Sequence, residues 1–88
     1  MKPIFCKECG DVVRLVKDLR TCQCGKSQGR YVDDLNAVIG GPCVPLGISN
    51  TSLTDAILAR PYEGLGKEFT AFVIPIECET VKKIIRLS

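Results

Sequence analysis

Four cysteines constrain this chain more than any other feature. They read Cys6-Lys7-Glu8-Cys9 and Cys22-Gln23-Cys24, with twelve residues between the pairs. Two thiol pairs on short turns, joined by a hairpin-length segment, present the ligand set that a tetrahedral zinc ion requires. A chain of 88 residues buries only a small core, so a bound metal would contribute directly to the free energy of folding.

The composition is that of a globular protein: 45% hydrophobic and 25% charged. It argues against disorder. No apolar run reaches the roughly 18 residues of a membrane span, and the longest, Ala71 to Ile76, suits a buried strand. Six cysteines in a short chain also fit three disulfides in a secreted protein. The N-terminal residues carry no signal-peptide core. With the metal-like spacing, this gives the expectation of a reducing, cytoplasmic setting.

Net charge is +2, unevenly spread. Residues 1–30 carry seven basic side chains against three acidic ones, a net of +4, and residues 31–88 carry five against seven, a net of −2. Arg14, Lys17, Arg20, Lys26 and Arg30 form the expected basic face. It would attract an anionic partner, or serve only as solvated surface.

Glycine follows each cysteine pair, at Gly10 and Gly25, where a positive φ lets backbone amides approach the sulfurs. Between the pairs, Val12–Val16 reads as a strand, and Gly29–Asp33 and Leu35–Ile39 as two more. Cys43–Ile48 is apolar but interrupted by Pro45, which predicts an edge strand or an extended loop. A helix is expected over Leu53–Ala59, with Ser52 and Asp55 at capping-box spacing and Pro61 ending it. Glu68–Ile74 is expected to be the most buried strand. Apolar positions 81, 84 and 85 favour a short amphipathic helix at the tail, with a final strand as the alternative.

From Phe5 to about Val32 the chain resembles the zinc-ribbon or rubredoxin-like superfamily. Cys6-x-x-Cys9-Gly10 matches that family's knuckle, and Cys22-x-Cys24-Gly25 is one residue short of it. The resemblance implies one structural zinc and makes rubredoxin-type iron less suited, since that site normally uses two full knuckles. Phe5 would then pack over the metal site. The expected architecture is a β-rich α+β fold: a zinc ribbon packed on a small antiparallel sheet with one or two short helices. Residues 1–88 would form a single compact domain, with 1–34 as the ribbon subdomain and 35–88 as a small α+β remainder.

Other candidate sites carry less chemistry. The chain has no histidine, which removes Cys–His nucleophile pairs and histidine acid–base catalysis. Cys43 and Cys78 lie outside the metal pattern, and each reads as a small buried hydrophobe or a reactive thiol. Asp33-Asp34 suits a turn or the surface. Gly47, Ser49, Asn50, Thr51 and Ser52 precede the expected helix, whose N-terminus offers unpaired amides to a phosphate, with Arg60 near enough to add charge. Helix capping alone is the alternative.

The function expected from these features is non-enzymatic binding of a phosphate-bearing ligand, a nucleotide-type small molecule or nucleic acid. The alternative is a protein-interaction module, adaptor or inhibitor, using Cys43–Ile48 as an edge strand for a partner or a second copy. Chemistry at Cys43 is the third reading.

Overall fold

The computed structural model describes residues 1–84. Eight short strands and one helix are present among them: β1 (Ile4–Cys6), β2 (Val12–Val13), β3 (Arg20–Thr21), β4 (Gln28–Tyr31), β5 (Ala37–Gly40), β6 (Cys43–Ile48), α1 (Asn50–Leu58), β7 (Ala71–Val73) and β8 (Val81–Lys83). The strands form two four-stranded sheets, in the orders β2-β1-β6-β7 and β3-β4-β5-β8. The first is antiparallel throughout; in the second, β8 runs parallel to β5. The protein is therefore a β-rich α+β fold. No helix among the described residues is long and apolar enough to cross a membrane.

Strand pairing departs from a ribbon resting on a separate sheet. In the first sheet β1 pairs with β6, and in the second β4 pairs with β5. Each sheet thus joins two strands from 1–34 to two strands from 35–84. The core lies between them: Ile4, Cys6, Val13, Cys43 and Ile74 meet Leu15, Ala37, Ile39 and Val81. Tyr31 packs against this cluster, so its ring closes the core.

Several elements differ from expectation. The strand expected over Val12–Val16 is only β2, because the chain turns away after Val13, although Leu15 still reaches the core. Asp33 ends β4 early: its Oδ1 accepts hydrogen bonds from the N–H groups of Leu35 and Asn36 at 2.9 and 2.7 Å, and such an Asx turn competes with strand extension. The Asn36 side chain also donates to Asp33. That contact, then the two amides, holds the Asp33 carboxyl down at about 2.

Cys43–Ile48 is an interior strand, not an edge. Pro45 is tolerated because its backbone faces β7, where pairing ends. Its carbonyl accepts from Ile74 N–H at 3.0 Å, and only one potential bond is lost to the missing N–H. The helix begins earlier than expected. Ser49 is its N-cap, accepting from Ser52 N–H at 3.2 Å, so the Ser52–Asp55 pair is not the cap. Glu68–Ile74 is not the most buried strand. Only Ala71–Val73 is strand, all three residues are exposed, and Ile74 alone enters the core. The tail forms β8 because the open edge of β5 offers hydrogen bonds that a short helix would forgo. Ala37 N–H donates to the Thr80 carbonyl and Ile84 N–H to the Ile39 carbonyl, both at 2.8 Å. Positions 85 and 86 of the expected tail helix lie outside the described residues.

Gly41, at φ +94°, turns the chain from β5 into β6. A Cβ there would collide with the Lys26 carbonyl and the Ser27 backbone, so the second cysteine loop docks directly on this turn. Gly41→Ala is expected to destabilise the fold by at least about 2 kcal/mol, from left-handed strain plus backbone overlap. Gly66→Ala, at a position open to solvent, should leave the Tm nearly unchanged. Thermal unfolding of the two variants side by side checks this, and equal losses would refute it.

Candidate metal centre

Cys6, Cys9, Cys22 and Cys24 come together, with all four sulfurs within 4.8 Å of one another. Cys22 and Cys24 sulfurs are 3.4 Å apart, and Cys6 and Cys24 sulfurs 3.7 Å. Metal–sulfur bonds of about 2.3 Å in a tetrahedron require sulfurs about 3.8 Å apart. The four thiols therefore fit one tetrahedral ion and fill its coordination sphere. Cys6 and Cys22 are buried, while Cys9 and Cys24 are exposed, so the centre lies at the surface end of the core.

The two loops reach this geometry by the same closure. Cys6 N–H donates to the Asp11 carbonyl and Cys22 N–H to the Ser27 carbonyl, both at 2.9 Å. Each bond spans five residues, although the second cysteine pair is one residue shorter. The shortening is recovered after the glycine, where Lys26 occupies the added position. Gly10 and Gly25 have φ of +75° and +82°, as a tight turn at each knuckle needs. Their N–H groups return to the carbonyls of Cys6 and Cys22 at 2.8 and 3.1 Å. Asp11 also joins the loops, its Oδ2 accepting from Gln23 N–H at 2.9 Å.

The shortening changes which amides serve the sulfurs. Ser27 N–H donates to the Cys22 sulfur at 3.3 Å. Burial opposes ionisation of Cys22, but this amide and the neighbouring thiols outweigh it and bring the group to about 6. At Cys6 the Ser27 hydroxyl, then the N–H groups of Cys9 and Glu8, lower the pKa against burial. That hydroxyl is fully buried and has no hydrogen-bond partner among the described residues, so it is free to serve a thiolate. Cys24 behaves oppositely. The Lys26 N–H favours its thiolate, but desolvation and the other three thiols together push it up to about 12. Without metal, these effects favour the thiolate at Cys22 and the protonated thiol at Cys24.

Other anticipated site residues are dispersed. Phe5 points away from the metal: it sits between inward-facing Ile4 and Cys6 and is exposed on the opposite face of β1. Arg20 pairs with Gly29, on the face that meets Leu15 and Ile39, whereas Arg30 pairs with Val38 on the other face. The basic residues therefore do not share one face. Lys17 forms an ion pair with Asp34 at 3.3 Å, both groups well exposed. Arg14 lines a shallow groove with Tyr31 and Asp34, and Lys26 lies on the second cysteine loop.

At the helix start, Gly47 is covered by the Phe72 ring. Ser49 caps the helix, and Ser52 Oγ accepts from Thr70 N–H at 2.7 Å. Asn50 and Thr51 open α1, and Arg60 is exposed beyond its end. Cys43 is buried beside Cys6 in the sheet register, its pKa raised by burial. Cys78 is half-buried and its thiol is lowered by the Thr80 hydroxyl.

Sequence reasoning missed Asp11 and Ser27. Their shared signal was legible: each lies five residues after the first cysteine of its loop. No protein-family model, curated protein or solved structure matches this chain.

Metal binding must displace the Cys24 proton. Zinc titrated into the metal-free protein at neutral pH is expected to release at least one proton, read calorimetrically in buffers of different ionisation enthalpy. Acidification reverses the reaction, because protons compete for the same sulfurs. Zinc content should therefore fall as the pH is lowered. Buffer-independent heats, or zinc retention indifferent to acidification, would rule out the four-thiolate assignment.

Proposed function

We propose that Cys6, Cys9, Cys22 and Cys24 hold one zinc ion as a structural staple, and that the protein works by binding another protein, not by catalysis. A centre with four protein ligands has no open position for water or substrate, which supports a structural role. The zinc-ribbon resemblance favours zinc over iron.

One observation carries the binding role: the outer face of the first sheet is wholly apolar. Strand alternation turns Ile4, Cys6 and Cys43 into the core, so Phe5, Val12, Val44, Leu46, Ile48 and Val73 face outward. Phe5, Val12 and Val73 are exposed. An antiparallel sheet with one solvated face normally alternates apolar and polar residues, and one apolar on both faces is usually covered. The fit is to the apolar surface of a partner protein. Burial and a raised pKa give Cys43 the character of a packing residue.

A second reading keeps the phosphate-bearing ligand, nucleotide or nucleic acid. Arg30, Val38 and Lys82 form one cross-strand row on the outer face of the second sheet, which places two cations on one face, either side of Val38. The helix start at Ser49–Ser52, with the Ser49 and Ser52 hydroxyls already bonded internally, supports this reading less.

Native mass spectrometry of freshly purified protein is expected to show one zinc per chain. A nuclease-treated pull-down should recover one stoichiometric protein, lost with Leu46→Lys while zinc content and the circular dichroism spectrum stay unchanged. Protein capture unaffected by Leu46→Lys would defeat the interface. Oligonucleotide binding that falls steeply with salt and weakens in Arg30→Ala/Lys82→Ala would instead establish the second reading.

A further inference from the structure

We infer that a crevice between the two sheets binds a small amphiphilic anion, an aliphatic chain ended by a carboxylate, with the chain on the core and the head at Lys7 and Lys83. The crevice has a volume of about 390 Å³, within the range of about 300–1,000 Å³ usual for small-ligand sites. Both sheets build its floor. Cys43 of β6 and Ile74, just past β7, come from the first, and Ile39 of β5 and Val81 of β8 from the second. All four belong to the buried core, so the crevice opens directly onto it.

The charged part of the lining is cationic. Lys7, in the turn after β1, and Lys83 line the crevice, and no carboxylate does. Among the described residues neither lysine forms an ion pair. Strand register accounts for Lys83. β8 sets Val81 beside Ala37, Lys82 beside Val38 and Lys83 beside Ile39. Ala37 and Ile39 face the core, and side chains alternate along a strand. Val81 and Lys83 therefore share the inner face, and Lys82 lies on the outer one. Lys83 is exposed, so its ammonium sits at the mouth of the crevice, hydrated and open to an anion.

The occupant follows from this pairing of surfaces. An apolar floor favours hydrocarbon. Two cations without an acid favour a negative head and disfavour a cationic one. An alkyl carboxylate supplies both parts, and the volume suits a small molecule better than a whole strand or helix of a partner. Leu46, on which the proposed protein interface is tested, does not line the crevice, so the two sites can be separated by experiment.

The test is a titration of the isotope-labelled, zinc-loaded full chain with decanoate at low ionic strength, followed by amide chemical shifts. Saturable one-to-one binding is expected, with shifts concentrated at Ile39, Cys43, Ile74 and Val81. Octanoate should bind about tenfold more weakly, because it buries two fewer methylenes. Lys7→Gln/Lys83→Gln should weaken decanoate binding about tenfold, and Lys7→Arg/Lys83→Arg should preserve it. Lys82→Gln removes a neighbouring charge from the outer face and should change nothing. All three lysines are exposed, so the fold tolerates these replacements. No saturation by millimolar decanoate, decanol bound as tightly as decanoate, affinity indifferent to chain length, or equal losses in Lys82→Gln would overturn the inference. If the chain captures a protein through Leu46 and still fails to bind decanoate, this inference falls and the proposed function stands.

Discussion

The contact between the two cysteine loops is the constraint on which the rest of this structure depends. Cys6 ends β1 in the first sheet, and Cys22 follows β3 in the second. The four-sulfur cluster therefore ties one sheet to the other at the end of their shared core. Strands of two to six residues cannot hold such an arrangement through pairing alone, and a chain this short buries too little apolar surface for a wide margin of stability. With zinc bound, the tie would be made of metal–thiolate bonds, and unfolding would require losing them.

Loop geometry and sheet geometry are coupled at that point. Both loops close with the same five-residue hydrogen bond, so their cysteines arrive from equivalent turns despite unequal spacing. The second loop is held from outside as well: the Lys26–Ser27 backbone rests on Gly41, where β5 passes into β6. Ser27 combines the two roles. Its amide serves the Cys22 sulfur, and its buried hydroxyl lowers the pKa of Cys6. One residue thus bears on both the ionisation of the cysteine cluster and the packing of the crossover.

The two sheets differ in what they show to solvent. The second presents Arg30 and Lys82 on its outer face, as an ordinary solvated sheet does. The first is apolar on both faces and ends in the exposed strand β7. Burying apolar surface of this kind is favourable, whereas at the helix start the Ser49 and Ser52 hydroxyls are already bonded within the chain. The contrast is the support for the proposal of protein association over anion binding at the helix start.

The sequence by itself determined the four-cysteine cluster, the two glycine turns, the β-rich character and a helix ending before Pro61. Each rests on local chemistry: thiol spacing, positive φ at Gly10 and Gly25, β-branched runs and the geometry of proline. Tertiary structure decided which strands lie inside and which at the edge. Cys43–Ile48 reads locally as an edge because of Pro45, yet it is central, since the missing N–H falls where β7 pairing ends. Ala71–Ile76 reads as the core strand, yet it is the rim, because hydrophobicity measures a tendency to be buried and does not specify by what. The tail pattern fits a helix, and the open edge of β5 made it a strand. The basic residues of the N-terminal segment were visible as a charge excess, but only the register between β3 and β4 placed Arg20 and Arg30 on opposite faces. Partner choice across a sheet is a non-local property, and the local sequence carries only its period.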